Sequence, residues 1–274
     1  MGGDRAMPGW RRPAAVSLAL LAASLNAGCY LFRSDAVETI AIRDAGLTPE
    51  EAARKSEEAD RLYEAPRTAA RVEASFQVAF DSASASNGYR GLWQAARAAA
   101  WLAESEADKG RAEIFARKGV AIGREAARLA PGGAESWYFL ALNLARLSDL
   151  RRTPRFVQEM AAAAEKALTL DRTCDRAGPD RFLGLLNLNT EGNPVVGYGD
   201  FDKALEHLRR AAELYPDAEN RLAYAQALVA DDEYGEARKQ LDAAIAAKAP
   251  AGLEAEHEGW VKKARELREK IEGK

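Results

Sequence analysis

Cysteine and histidine are scarce in this chain, with two of each among 274 residues. A catalytic thiolate wants a histidine partner, and a metal centre wants His, Cys or carboxylate ligands at short, regular spacings. Cys29, Cys174, His207 and His257 offer no two His, or His and Cys, at ligand spacing, so no metal and no cofactor is expected. An excess of one charge is also lacking: 39 Lys and Arg face 42 Asp and Glu, for a net charge of -3 and a pI near 5.7. That balance gives no global attraction to nucleic acid or to an anionic membrane surface. Alternating strand-like segments are missing, which leaves an all-α chain rich in Ala, Leu, Glu and Arg. Gly197-Tyr-Gly-Asp200 has no preceding strand, third glycine or lysine, so it is a loop before a helix and not a phosphate cradle. Asp231-Asp232 falls at a turn. With no acid, base and nucleophile in one constellation, no catalytic residue is predicted and the chain is not expected to be an enzyme.

What is present is a repeated phrase at helix ends. Arg124-Glu-Ala-Ala-Arg-Leu-Ala-Pro131, Glu165-Lys-Ala-Leu-Thr-Leu-Asp-Arg172 and Arg209-Arg-Ala-Ala-Glu-Leu-Tyr-Pro216 each place a small alanine, then a leucine three residues on. A weaker copy surrounds Ala244, and a faint one surrounds Ala79. From Ala126 through Ala167 and Ala211 to Ala244 the spacings are 41, 44 and 33 residues. The last is about one short of the 34-residue tetratricopeptide (TPR) period, and the longer intervals imply loop insertions. The first helix of a repeat carries a large residue, a Leu, a small residue and another large one on a single face; Trp137, Leu140, Ala141 and Leu144 fill these positions. Leu183-Gly184, and Tyr224-Ala225 with Leu228, continue the series, with Asp180 a mismatch where bulk is expected. In the second helices Ala204, Leu208 and Ala211 recur as Ala237, Leu241 and Ala244. The resemblance to TPR proteins is residue-specific from about Gly133 to Pro250.

Upstream, Thr48-Pro-Glu-Glu51 joins an N-cap, a proline at the first helical position and a glutamate three residues after the cap, which marks a helix start. Helix pairs are predicted at Ala52–Tyr63 with Arg67–Phe80, and at Gly91–Glu104 with Arg111–Leu129. Downstream, Trp260, Ala264, Leu267 and Ile271 form an apolar stripe on a helix that is otherwise Glu, Lys and Arg, as a solenoid cap requires. The expected architecture is a TPR-like α-solenoid of four to five irregular pairs over residues 48–251, closed by a C-terminal capping helix over 252–274.

Solenoids bind along the concave wall built by their first helices. In the register of Trp137 and Ala141, that wall is predicted to present Tyr138, Leu142 and Ala145, with Arg146 close by, then Arg181, Leu185, Leu222 and Gln226. Asn187, Asn189 and Asn193 lie near the insertion from Asn187 to Tyr198, which could fold over the wall. Arg146, Arg151, Arg152 and Arg155 otherwise form a basic run around a solvated inter-helix loop. Trp93 and Trp137 are expected in the packing between helices, His207 toward solvent, and Cys174 as a structural thiol in the turn before a repeat helix.

The first 28 residues stand apart from the fold. Arg5, Arg11 and Arg12 precede the apolar stretch Ala14–Leu25, whose twelve residues are too few to span a bilayer as a helix; Met1 or Met7 could be the start. Leu25-Asn-Ala-Gly-Cys29 resembles the lipobox of bacterial lipoproteins, departing from it where Asn26 stands in place of the usual leucine. That resemblance implies lipid on Cys29, a flexible tether over 29–47 and attachment to the cell envelope. Tyr30 after the cysteine, where aspartate would retain such a protein at the inner membrane, implies the outer membrane, facing the periplasm.

This start, the helix Leu92-Trp-Gln-Ala-Ala-Arg97, the irregular repeat spacing and Ala177-Gly-Pro-Asp-Arg-Phe-Leu-Gly184 together resemble the TatT family, the T-components associated with tripartite ATP-independent periplasmic (TRAP) transporters. The resemblance covers about Thr48 to Ala251. It implies a periplasm-facing lipoprotein that partners a solute-binding protein and passes it a small, hydrophobic ligand, and it leaves room for a homo-oligomer. The alternative is an outer-membrane scaffold for β-barrel or secretin assembly. The first reading calls for an enclosed cavity lined by apolar groups, and the second for an open groove sized for a peptide or helix.

Overall fold

A computed structural model describes residues 46–64, 67–83 and 88–274. The leader, Cys29 and nearly all of the 29–47 tether lie outside the described residues. Among those described there are eleven helices and no strand: α1 (Pro49–Glu64), α2 (Ala69–Ser82), α3 (Tyr89–Ser105), α4 (Lys109–Leu129), α5 (Ala134–Arg151), α6 (Val157–Leu170), α7 (Cys174–Thr190), α8 (Phe201–Leu214), α9 (Ala218–Ala230), α10 (Tyr234–Ala246) and α11 (Glu254–Lys270). Each odd-numbered helix packs against the even-numbered helix that follows it, and successive odd-numbered helices also touch, from α1 on α3 to α9 on α11. This is the helix-pair stack of a TPR-like α-solenoid: five pairs and a cap.

Local chemistry sets the helix starts. Thr48 N donates to Glu51 Oε2 at 2.9 Å while Glu51 N donates to Thr48 Oγ1 at 3.2 Å, so the capping box before α1 forms in both directions. Thr68, Asp108, Asp200 and Asp217 cap α2, α4, α8 and α9 by accepting a backbone N–H into the side chain. Pro131 and Pro216 follow the ends of α4 and α8, where no further helical N–H is required.

The repeated phrase is the last turn of the second helices. The residue that closes each helix donates its N–H to the recurring alanine's carbonyl: Ala130 to Ala126 at 2.9 Å, Asp171 to Ala167 at 2.8 Å, Tyr215 to Ala211 at 3.0 Å and Ala247 to Ala244 at 3.3 Å. All four methyl groups are fully buried, as is that of Ala79, where Ala83 N donates to the carbonyl at 3.2 Å. The faint copy in α2 therefore shares both features of the clearer four. Small side chains permit the close approach of helices, and enlarging one overpacks the contact. Glycine carries this further at Gly91, where a β-carbon would lie 2.5 Å from the backbone oxygen of Ala79.

Three buried clusters result. The largest runs from Ala59 in α1 to Leu186 in α7; a second joins Ala218, Leu222, Ala225, Leu228, Ala237, Leu241 and Ala244 to Val261, Ala264 and Leu267 of α11 and to Ile271 at its end; the smallest sets Leu208 of α8 with Ala223 and Ala227 of α9. The stripe expected on the C-terminal helix is thus the face that docks on α9 and α10.

The entry to α7 departs from a simple turn. Asp175, Arg176 and Ala177 occupy the left-handed region, with φ of 46°, 54° and 61°, and the regular helix begins after them at Gly178-Pro179. Three successive non-glycine residues in that region cost roughly 1–2 kcal/mol each, so neighbouring contacts must hold them.

Candidate functional site

An aromatic and charged stripe runs along α3, where Trp93, Arg97 and Trp101 fall four residues apart and share one face. The Arg97 guanidinium lies 4.0 Å from the centroid of the Tyr63 ring and 5.1 Å from that of Trp93. Its Nη2 donates to Asp60 Oδ1 at 2.7 Å, and Arg90 holds Oδ2 at 2.8 Å. Burial acts to raise the Asp60 carboxyl, but Arg90 and Arg97 outweigh it and hold the group below its usual value. Arg67 lies 4.3 Å from the same Tyr63 centroid and is anchored by its Nε, which donates to Tyr63 O at 3.1 Å. Its Nη1 reaches across to Glu256 Oε1 at 2.7 Å, and Trp101 Nε1 donates to that same oxygen at 3.0 Å.

Glu256 belongs to the first turn of α11, so the last helix returns to the first two pairs. Just before it, Gly252 adopts φ +77°, and a β-carbon there would lie 2.7 Å from Glu64 O. Among the described residues, α11 makes no helix-on-helix packing with α1, α2 or α3. The two ends of the solenoid meet through these side chains and through the close approach of Gly252 to Glu64 O. Burial acts to raise the Glu256 carboxyl, while its own backbone N–H, the charge of Arg67 and the Trp101 indole together hold it below the usual range.

A second cluster ties α5, α7 and α9. Arg181 Nη1 donates to Asn220 Oδ1 at 2.9 Å and to Arg176 O at 3.2 Å; Nη2 donates to Tyr138 Oη at 3.3 Å and sits 3.4 Å from Asp175 Oδ2; Nε lies 3.3 Å from Glu219 Oε1. Tyr138 Oη in turn donates to Asp175 Oδ2 at 2.9 Å. Arg176 pairs with Asp217 at 3.0 Å and Glu219 at 2.7 Å, and its guanidinium lies 5.6 Å from the Trp260 ring centroid on α11. These bonds fix the left-handed turn from both sides. Burial disfavours the charged form of Arg181, yet the surrounding anions raise its pKa and keep it charged; burial raises Glu219.

The predicted wall residues divide. Leu142, Arg146 and Gln226 are half-buried, but Tyr138, Arg181, Asn187 and Leu222 are buried, which corrects their expected display on an open surface. Tyr138 is covered because α7 arrives against it: a β-carbon on Gly178 would lie 2.4 Å from the tyrosine ring. Arg181 is enclosed by the anions it neutralises. Asn187 turns back onto its own helix and donates to Leu183 O at 2.9 Å, and Leu222 belongs to the core of the last pairs. Arg146 is a helical residue of α5, not part of a loop; it donates from Nε to Ala103 O at 2.9 Å and so satisfies a carbonyl near the end of α3.

The insertion does not cross the wall. Tyr198 Oη donates to Glu165 of α6 at 3.4 Å, and Val196 and Tyr198 pack on the core, so the loop leans on a second helix and shapes a shallow hollow of about 330 Å³ between Thr190 and Gly199. His207 is not solvent-facing either: its Nδ1 lies 2.7 Å from Oδ1 of Asp180, which is fully buried, with Arg172 Nε 3.4 Å from Oδ2. The Asp180 mismatch is therefore a polar tie from the α6–α7 turn and α7 to α8. Cys174 is buried, and burial pushes its thiol far above its ordinary value, away from nucleophilic use.

Missing from the expected wall were Arg67, Arg97, Trp101 and Glu256. The signal that could have found Arg97 and Trp101 is the Trp93, Arg97, Trp101 stripe, whose charged middle member does not suit an apolar helix contact. Nothing local marks Glu256 among the glutamates of α11. The lining is aromatic and charged, where an apolar enclosure was expected of a TatT-like protein.

The described residues hold no group of three or more His, Cys, Asp or Glu placed to bind a metal ion, and no helix long and apolar enough to cross a membrane. No family model and no curated protein matches the chain. Among solved structures it is similar to a thermophilic TPR protein from Thermus thermophilus, with a TM-score of 0.58 and 16% identity over 79% of this chain and 100% of that one. At that identity the likeness speaks to fold: the chain is folded as TPR proteins are.

Proposed function

We propose that this chain is a non-enzymatic TPR-type interaction protein whose binding face is the inner wall of its odd-numbered helices. The observation that carries this is the stripe of half-buried groups on α3, Trp93, Arg97 and Trp101, whose last member meets Arg67 at Glu256 of α11, where a core helix would present aliphatic residues. Indole rings combined with guanidinium groups are the side chains most enriched where proteins bind one another tightly. Lipid on Cys29 would tether the solenoid to the envelope and direct the wall toward periplasmic partners.

Within that reading we favour the T-component role: an outer-membrane lipoprotein that docks a periplasmic solute-binding protein of a TRAP-type system. The return of α11 to the first pairs favours an enclosed interior over the open groove of an assembly scaffold. Isolation of the full chain from detergent-solubilised envelopes of its own cells tests this. Recovery of a solute-binding protein supports the T-component role, recovery of β-barrel or secretin components supports the scaffold, and recovery of neither contradicts both. Cys29→Ser should move the chain out of the membrane fraction, and retention there would contradict lipid anchoring.

A further inference from the structure

The meeting point of Arg67, Trp101 and Glu256 has the construction of a binding site that the chain fills with its own carboxylate. Its two donors converge on one oxygen, Glu256 Oε1, at 2.7 and 3.0 Å. Neither donor depends on Glu256 for its position. The Arg67 guanidinium is seated on Tyr63 and tied to Tyr63 O by its Nε, and Trp101 is carried on α3, within the larger core. Arg67 is only 13% exposed, so without an acceptor its Nη1 would be left in a largely desolvated place, and a vacated site favours another anion. The acceptor arrives on the end of the chain least committed to the site. α11 is docked on α9 and α10 through Val261, Ala264, Leu267 and Ile271, and among the described residues no helix-on-helix packing joins it to the first two pairs.

We infer that Arg67 and Trp101 form a carboxylate-binding site for an acidic helical segment of a partner protein, and that Glu256 occupies it in cis until the partner displaces it. A helical segment is favoured because the internal occupant is presented that way, from the first turn of a helix with an indole, Trp260, one turn further on against Arg176. Displacement leaves the fold of each half intact, since the packed layers lie elsewhere. This inference rests on the inner wall being the binding face and adds to it the chemistry of the partner.

The test uses the full chain in detergent and a fluorescein-labelled peptide spanning residues 252–264, read by fluorescence anisotropy. Glu256→Gln removes the internal carboxylate and should tighten binding of the peptide about tenfold over the unaltered chain, because the competent state no longer competes with a tethered rival. The gain should vanish in Glu256→Gln combined with Trp101→Phe, and with a peptide whose own Glu256 is glutamine. Equal binding by the unaltered chain and Glu256→Gln, or a gain that survives the glutamine peptide, overturns the inference. If Glu256→Gln fails to fold, as judged by circular dichroism, Glu256→Asp withdraws the carboxylate by one methylene and serves in its place. Acetate and glutarate competing at millimolar levels as well as the peptide would mean a small-carboxylate site and would overturn the helical partner. Failure of these titrations alongside recovery of a periplasmic partner from envelopes would remove this site while leaving the wall as the binding face.

Discussion

Arg181 shows how far a residue's role depends on what surrounds it. As a cation on a first helix it is predicted to meet ligand, but two carboxylates, an amide and a phenol close around it. Breaking a buried, multiply bonded pair by truncating one partner costs about 3–5 kcal/mol. Arg181→Ala should therefore lower the urea midpoint by that equivalent, and an unchanged midpoint would return the residue to the surface role. Cys174 makes a simpler case: its buried, raised thiol should resist a maleimide at neutral pH in the folded protein and react only after unfolding. Acid should act on the joined ends. Asp60 and Glu256 have folded values held below the ordinary carboxylate range, so their stabilisation is fully present above that range and is lost as pH falls through the folded values. Tryptophan fluorescence should report separation of Trp101 from Glu256 on acidification below about pH 4.5. In Glu256→Gln the part of that change due to Glu256 should be missing. Glu219, raised by burial, contributes in the opposite sense, its stabilisation weakening as pH rises through its folded value.

At the scale of elements, the helix contacts divide glycines into two kinds. Gly259 lies inside α11 with nothing within 4 Å of a β-carbon, so Gly259→Ala should stabilise the protein by about 0.5–1 kcal/mol through helix propensity. Gly91 faces the backbone of α2, and Gly91→Ala should cost about 1–3 kcal/mol because backbone cannot yield as a flexible side chain does. Thermal melts of the two variants should move in opposite directions. The helices themselves were legible because their rules are local: the capping box at Thr48, the prolines after α4 and α8, and the buried alanine in each last turn all operate within a few residues. The wall was only partly legible. Periodicity identifies the face on which Tyr138 and Leu222 sit, but not whether another helix will cover it, and coverage depends on how each pair is rotated on the last. Closure between Arg67 and Glu256 spans 189 residues and leaves no pattern at either end. The left-handed turn at Asp175–Ala177 was equally hidden, since residues without glycine's freedom adopt it only when contacts such as Arg181 to Arg176 O compel them.

The whole molecule is a stack whose neighbours hold one another, with its first and last members joined by a thin polar contact. Solenoids distribute stability between adjacent repeats, so opening this contact disturbs no packed layer: the Arg67 guanidinium, 13% exposed, keeps its seat on Tyr63, and an incoming carboxylate replaces the acceptor it loses. That exchange of one acceptor for another, set beside well-packed layers on either side, is what would let the interior admit a partner without unfolding. The central claim is that the inner wall, and not the outer layer of second helices, is where partners bind. A photo-cross-linking amino acid placed at Leu142 or Gln226 on the odd-numbered helices, and at the exposed Ile114 on α4, tests it directly in intact cells. The account expects a discrete protein adduct from the first two positions and none from Ile114. Adducts from Ile114 alone, or equally from all three, would contradict it.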